Sequence, residues 1–271
     1  MSRFPILLTN DDGINSPGLQ NLASSLHALG HPLVILAPLT EQSAVGMKLT
    51  LRDDMAFKEH LDMAEKIRAD ESTPLRVFSL DGSPCDCVIV AIDGGLRSWA
   101  PEIRPWLCIS GINRGPNLSV DVLHSGTVSA AREASLYGLP SLSVSLATYS
   151  HQDYSQSIEA TLTIVERLSD LVTSEPSNIL RPEGSMTRPL EGTGKHSIRS
   201  WFMQGNMFLN LNIPENWNGE FQTVPLGARW YHNATDMIDQ KSTGVAFEVG
   251  AARIVDEDIE MTDCHAIASG S

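Results

Sequence analysis

Two adjacent acids, Asp11 and Asp12, end the short apolar run Ile6-Leu7-Leu8-Thr9 and are framed by Asn10 and Gly13. Neighbouring carboxylates repel each other unless a cation or a shared proton offsets the charge. The pair is therefore either a site for a hard metal ion or only a turn, since Asn, Asp and Gly all favour turns and Asp can cap a following helix. An apolar run of this length bounded by turn residues reads as a buried parallel strand, and open α/β sheets hold ligands at the carboxyl ends of such strands. On that geometry the acids lie at a functional edge.

Other oxygen-bearing segments fall at the same kind of position. The loop 39–46 follows a second apolar run, Leu33-Val34-Ile35-Leu36-Ala37, and makes Ser43 a candidate neighbour of the acids. Pro105-Trp106-Leu107-Cys108-Ile109 reads as a third buried strand leading into Ser110-Gly111-Ile112-Asn113. Two carboxylates, a hydroxyl and a carboxamide oxygen make an all-oxygen set that suits Mg²⁺ or Mn²⁺ and leaves positions for water and substrate. Further along, Ser125-Gly126-Thr127 precedes an alanine-rich helix, whose N-terminal N–H groups suit a phosphate. The chemistry these parts imply is metal-assisted hydrolysis of a phosphomonoester.

Competing motifs fail in detail. Gly192-Thr193-Gly194-Lys195 has no strand before it and His196 after it, so it is not a Walker loop. The acids are adjacent rather than two residues apart, unlike the nucleophile pair of haloacid-dehalogenase-type phosphatases. The glycine spacing from Gly13 to Gly18 is wrong for a dinucleotide fingerprint, and Ser125 lies in no Gly-x-Ser-x-Gly elbow. His124 beside the Ser-Gly-Thr turn is read either as a general acid or as a hydrogen-bonded loop histidine.

The elements that must position these residues follow from periodicity. Leu19, Leu22, Ala23, Leu26 and Leu29 repeat at helical spacing until Gly30, giving a strand–helix–strand unit whose right-handed crossover sets the first two strands parallel. Residues 49–80 read as short antiparallel strands rather than a crossover helix. Asp81-Gly82-Ser83-Pro84 starts a helix that carries Val88, Val90, Ala91 and Leu96, with Cys85 and Cys87 as packing residues. A strand at 140–146 and an amphipathic helix at about 154–171 complete the periodic part. Strands at 207–214, 226–231 and 245–249 and a weak helix within 256–268 are expected beyond it.

Bulk properties limit the alternatives. A chain of 271 residues with 42% apolar composition is long enough for one large α/β domain, and a net charge of −14 argues against a nucleic-acid polymer as partner. Cys85, Cys87, Cys108 and Cys264 form no Cys-x-x-Cys pair and have no histidine at zinc-finger spacing. No run is long enough for a membrane span, so a reducing, cytoplasmic-type compartment without membrane attachment is expected.

At these residues the sequence resembles the SurE-type survival proteins, a family of metal-dependent nucleotidases and acid phosphatases. The likeness rests on Asn10-Asp11-Asp12-Gly13 with Pro17-Gly18, on Asp81-Gly82-Ser83-Pro84-Cys85-Asp86-Cys87-Val88, on Ser110-Gly111-Ile112-Asn113 through Gly115-Pro116-Asn117, and on Ser125-Gly126-Thr127-Val128. Distal echoes are Asn212-Ile213-Pro214 and Thr262-Asp263 with Ala266 and Gly270. The resemblance implies a Rossmann-like α/β/α sandwich with a mostly parallel sheet over 1–172, a flexible loop over 173–197, and a mixed β/α extension over 198–271 that completes the sheet edge and serves as an oligomerisation arm for a homodimer or homotetramer.

By the same resemblance, the substrate is a nucleoside monophosphate and the cofactor one divalent ion, Mg²⁺ or Mn²⁺. Asp11 and Asp12 become the catalytic pair, and Asp11, Asp12, Ser43 and Asn113 the metal ligands. Asn10, Ser110, Gly111, Asn117, Ser125, Gly126 and Thr127 line the phosphate pocket. Two departures stand out. Gln42 and Ala44 flank Ser43 where the family carries Arg and Gly, which admits a catalytically weak nucleotide- or metal-binding oligomer of the same fold as the alternative. The family pattern also continues past the Gly270-Ser271 tail with one more apolar strand, so weaker assembly rather than lost chemistry is expected.

Overall fold

In a computed structural model of the chain, the described residues are 3–177, 179–181, 195–241, 244–250 and 252–270. The first strand, Ile6–Thr9 (β1), is buried at every position, as an unbroken apolar run must be when both faces of a sheet are covered. Helix α1 (Pro17–Ala28) starts where Ser16 Oγ accepts the Leu19 N–H and Pro17 supplies a preset first turn. Its Leu19, Leu22, Ala23 and Leu26 are buried at helical spacing. Then come β2 (Leu33–Pro38), β3 (Phe57–Glu59), α2 (Leu61–Ile67) and β4 (Leu75–Leu80).

A capping box of Ser83 and Asp86 opens α3 (Pro84–Val90), and α4 (Leu96–Trp99) follows. The run continues through β5 (Leu107–Arg114), α5 (Asp121–His124), α6 (Gly126–Leu136), β6 (Ser141–Leu146), α7 (Ser155–Leu168), α8 (Lys195–Met203) and β7 (Leu209–Ile213). The distal part holds β8 (Arg229–His232), β9 (Thr235–Lys241), β10 (Gly244–Val249), β11 (Arg253–Asp256) and α9 (Asp263–Ala268).

Among the described residues, one 7-stranded sheet runs in the order β3-β4-β2-β1-β5-β6-β7, with every neighbouring pair parallel except β3 and β4. Alternate residues of β1 feed two cores. Ile6 and Leu8 pack with α1, α2 and α7, whereas Leu7 packs with Val88 of α3 and Ala130 and Ala134 of α6. The result is the expected three-layer α/β/α fold with a mostly parallel sheet. The chain builds outward from β1 through β2 to β4 and then returns to β5 on the other side of β1, so the strand order reverses beside β1. Ligands of open α/β sheets bind at such a reversal.

Three details differ from the sequence reading. Helix α2 occupies part of 49–80, burying Ala64 and Ile67 one turn apart, while β3 forms the antiparallel pairing expected there. The helix from Pro84 does not run unbroken to Leu96. Asp93 and Gly94 leave the helical region, Gly94 at φ 98°, and a Cβ on Gly95 would sit 2.0 Å from the Val90 carbonyl oxygen. Third, β5 continues past Ile109 to Arg114. Of the loop expected over 173–197, residues 178 and 182–194 lie outside the described residues, and α8 begins within that span at Lys195. All four cysteines are free and buried. No described helix is long and apolar enough to cross a membrane.

The distal segment is fastened to the loop between β5 and α6 by buried polar contacts. Arg229 donates to Asp121 at 2.7 Å and to both oxygens of Asp256, and the Tyr231 hydroxyl also donates to Asp121. Asp263 accepts from the N–H groups of Ser119 and Gly227, at 2.8 and 2.6 Å. The Asn210 and Asn212 carboxamides both donate to the Asn117 carbonyl. Removing one member of a buried pair strands the other charge, so Arg229→Leu should lower stability by about 3–5 kcal/mol. Urea unfolding followed by circular dichroism measures this, and a loss under about 1 kcal/mol would show that the network contributes little.

Candidate functional site

The carboxyl ends of β1 and β5 lie side by side, with Thr9 paired in register to Ser110. Beyond Ser110 the pairing of β5 with β6 shifts, so that Ser110 faces Ser143 but Asn113 faces Ser145. Gly111 makes this bulge possible, because at φ 142° a Cβ there would lie 2.4 Å from the Val144 carbonyl oxygen. The Gly111–Ile112 peptide is cis. On the other side, a Cβ on Gly18 would lie 2.3 Å from the Ile112 carbonyl oxygen, so α1 closes directly onto the bulge. The extra residue brings the Arg114 N–H to Asp12, where it donates to Oδ2 at 3.2 Å.

Asp11 is 3% exposed and sits against the first turn of α6. The Thr127 N–H donates to its Oδ2 at 3.0 Å, and the Thr127 hydroxyl donates to its Oδ1. A side chain at 126 would leave no room for this, since a Cβ on Gly126 would be 2.7 Å from Asp11 Cβ. Burial raises the pKa of Asp11, opposed by the Thr127 hydroxyl and N–H. Asp12 accepts from the Arg114 N–H alone among the described residues. Burial and then the charge of Asp11 push it up to about 6, against the counter-pull of the Arg114 N–H.

The Ser43 loop is tied down on several sides. Gln42 N–H donates to the Asp11 carbonyl at 2.7 Å, and Gly46 N–H donates to the His124 carbonyl at 2.7 Å. Ser83 Oγ donates to the Lys48 carbonyl, and Asp86 accepts from both the N–H and the hydroxyl of Thr50. The Asp81-Gly82-Ser83-Pro84-Cys85-Asp86 motif thus caps α3 and, with the same side chains, anchors the loop that carries Ser43.

The two neutral candidate ligands already donate hydrogen bonds within the fold. Ser43 Oγ donates to Glu41 at 2.6 Å, and Asn113 Nδ2 donates to the Gly115 carbonyl at 2.9 Å. Ser43 Oγ keeps its lone pairs, and the Asn113 carboxamide keeps its Oδ1 lone pairs and one N–H. Asp11 likewise keeps lone pairs beyond the Thr127 N–H and hydroxyl, and Asp12 beyond the Arg114 N–H. Among the described residues no group of three or more His, Cys, Asp or Glu gathers as a metal cluster, so any ion here rests on the carboxylate pair and neutral oxygens. That donor set fits a hard divalent ion, and a dication would offset the repulsion that raises Asp12.

The remaining predicted residues divide. Ser110 Oγ and Asn10 Oδ1 are buried without a partner, as is Thr9 Oγ1. Thr9 and Ser110 are on the same sheet face as Leu7 and Cys108, the face covered by α6. Unpartnered buried oxygens directly behind Asp11 are the kind of exception that a bound ion or water accounts for. Other groups are already occupied in the fold. Asn10 Nδ2 donates to Gly13 O and Ser16 Oγ, joining the acid loop to the α1 cap. Ser125 Oγ caps α6 by accepting the Val128 N–H, and Asn117 Nδ2 donates to Ser145 Oγ. The N–H of Thr127 therefore serves Asp11 rather than facing outward. His124 is exposed, and its ring makes no hydrogen bond among the described residues.

A cleft of about 600 Å³ opens beside Asp12 and Ser43. Glu41, Arg114, Tyr149 and Tyr154 also line it, and the sequence reading singled out none of them. Strand order is the signal that finds the tyrosines, because they follow β6, whose carboxyl end lies on the same edge as that of β5.

The profile of the family described as Survival protein SurE matches residues 6–236. A protein of Syntrophotalea carbinolica named 5'-nucleotidase SurE is 34% identical over 270 residues, covering 98% of this chain and 87% of its own. A Synechococcus sp. protein of the same name is 32% identical over 269 residues, covering 98% and 88%. The crystal structure of the Sure protein from Aquifex aeolicus superposes with a TM-score of 0.65 at 26% identity, covering 98% of this chain and 90% of the other.

The carboxylate pair should weaken the metal-free protein. In EDTA at pH 7, Asp12→Asn should melt higher than the unmodified protein, because the substitution removes a repelled charge and keeps an acceptor for the Arg114 N–H. Saturating Mn²⁺ should raise the melting temperature of the unmodified protein, by about 2.7 kcal/mol of binding at a hundredfold excess over Kd, and leave the variant unmoved. Equal metal shifts in both proteins would remove Asp12 from the ligand set.

Proposed function

The chain belongs to the SurE survival-protein family, and from that premise we propose that it is a phosphomonoesterase that hydrolyses nucleoside monophosphates to nucleoside and phosphate, dependent on one divalent ion, Mg²⁺ or Mn²⁺. One observation carries this reading. The ends of β1 and β5 and the loop after β2 share the edge at the strand-order reversal, where Asp12 and Ser43 line one cleft and Asp12 accepts the Arg114 N–H.

In this proposal Asp11, Asp12, Ser43 and Asn113 hold the cation. When bound, such an ion supplies charge neutralisation at the phosphoryl oxygens and a lower pKa for the attacking water. The chain's own residues do the positioning. The Thr127 hydroxyl and N–H and the first turn of α6 oppose the rise that burial causes in the Asp11 pKa and fix the orientation of the carboxylate. The Arg114 N–H fixes Asp12, and Ser110 Oγ and Asn10 Oδ1 offer unpartnered polar atoms beside the reacting group. Asn117, Ser125 and Gly126 act by shaping the pocket wall, and Gly111 by admitting the bulge.

Assembly into a homodimer or homotetramer through the distal segment forms part of the proposal. It is supported by large apolar side chains exposed there, among them Trp230, Met237, Val249 and Met261.

The test is turnover of nucleoside 5'- and 3'-monophosphates and short polyphosphate with Mg²⁺, Mn²⁺ or EDTA. Hydrolysis should require metal and should fall by about a hundredfold or more in Asp12→Asn. Metal-independent turnover would defeat the mechanism. A protein that binds Mn²⁺ and nucleotide yet hydrolyses none would be the catalytically weak binder, the reading motivated by Gln42 and Ala44 flanking Ser43.

A further inference from the structure

The cleft beside Asp12 is far larger than a phosphate needs, and its walls change character along its length. At the inner end, Tyr154 is 4% exposed, yet its hydroxyl has no partner among the described residues although the side chain lines the cleft. A buried phenol usually finds a hydrogen-bond partner. Its charge neighbours are Asp12 and Arg114, which places it at the acid end. Arg114 is exposed in the same cleft, and its guanidinium makes no hydrogen bond or ion pair among the described residues. The outer end is aromatic. Tyr149 is 56% exposed, and its ring lies so close over Gly115 that a Cβ there would come within 2.2 Å of it. Backbone therefore backs the ring, and the remainder is open to the cleft.

We infer that this cleft seats the nucleoside half of the substrate, with the Tyr149 ring as the stacking platform for the base and the Tyr154 hydroxyl and Arg114 guanidinium as partners of the ester phosphate. This deepens the nucleotidase reading and rests on it. A planar, uncharged base suits an aromatic wall in a cleft that also carries the Glu41 carboxylate, whereas a chain of phosphates would have to pass that carboxylate. Stacking on an aromatic side chain is sequence-tolerant because every base has a π-face, so the subsite selects nucleosides as a class rather than one base. The ring is also held in place, since only glycine at 115 leaves room for its Cε1–Cζ–OH edge against the backbone after the bulge.

The experiment compares kcat/KM for AMP with that for methyl phosphate at saturating Mn²⁺, in the unmodified protein, Tyr149→Ala and Tyr149→Phe. Loss of the ring should cut the preference for AMP by about tenfold or more, through KM rather than kcat, while Phe keeps it, because base–aromatic stacking is worth about 1–3 kcal/mol. Adenosine binding measured by calorimetry in EDTA should weaken by a similar factor in Tyr149→Ala alone. An unchanged preference, or equal losses in Ala and Phe, would overturn the inference. Tyr149-dependent adenosine binding without hydrolysis of either phosphate would support the subsite and defeat the nucleotidase reading. Adenosine binding indifferent to Tyr149, again without hydrolysis, would defeat both.

Discussion

The structure depends on one buried contact, the Asp11 carboxylate against the first turn of α6. A carboxylate removed from water is unfavourable unless donors face it, and here the Thr127 hydroxyl and N–H do so. The positive end of the helix dipole acts in the same direction. The contact sets demands on the chain around it. Residue 126 must lack a side chain, Ser125 must cap the helix, and α6 must be rich in alanine to lie close to the sheet, where Ala130, Ala131 and Ala134 are fully buried. Asp12, one residue on, has only the Arg114 N–H, and its pKa rises to about 6. Burial raises both acids, and they differ in their partners, Asp11 having the Thr127 hydroxyl and N–H and Asp12 the Arg114 N–H.

Around that contact the loops are fixed by neighbours rather than by their own propensity. The Ser43 loop is held by Asp11, α5 and the α3 cap, and the loop from 115 to 125 by the distal segment through Asn117, Ser119 and Asp121. Long-range polar contacts of this kind join residues about a hundred positions apart, such as Asp121 and Arg229. They explain how a segment with little periodicity comes to shape the edge of the sheet where the acids lie.

This also explains what the sequence shows and what it hides. The strands at 6–9, 33–38, 107–109 and 141–146 and the helices beginning at Pro17, Pro84 and Gly126 are legible because burial writes itself as apolar runs and caps write themselves as Ser-Pro or Ser-Gly pairs. The acid pair and its neighbouring oxygens are legible because strand ends in a parallel sheet share an edge. The continuation of β5 through its bulge is not, since Gly111 reads locally as a turn and only the carbonyl of Val144 makes it a strand residue. Nor does local sequence show that Thr127 faces inward to Asp11, or that Glu41, Arg114, Tyr149 and Tyr154 share a cleft, because these pairings span 35 residues or more except within the 149–154 stretch itself.

A net charge of −14 sets a problem for any protein that takes a phosphate dianion. The mean field repels the substrate, so capture must depend on a local reversal of sign. The described cleft supplies part of it through Arg114, which forms no ion pair among the described residues and so keeps its charge for a ligand. On the proposed reading a dication held by Asp11 and Asp12 supplies the rest. Glu41 works against that reversal, lining the cleft and raising the pKa of Asp12 further, yet it also accepts the hydrogen bond of the Ser43 hydroxyl and leaves that oxygen its lone pairs to give. On that same proposed reading the acids around the site would favour binding in a fixed order, cation before phosphate, because without the cation the cleft presents more negative charge than Arg114 can offset.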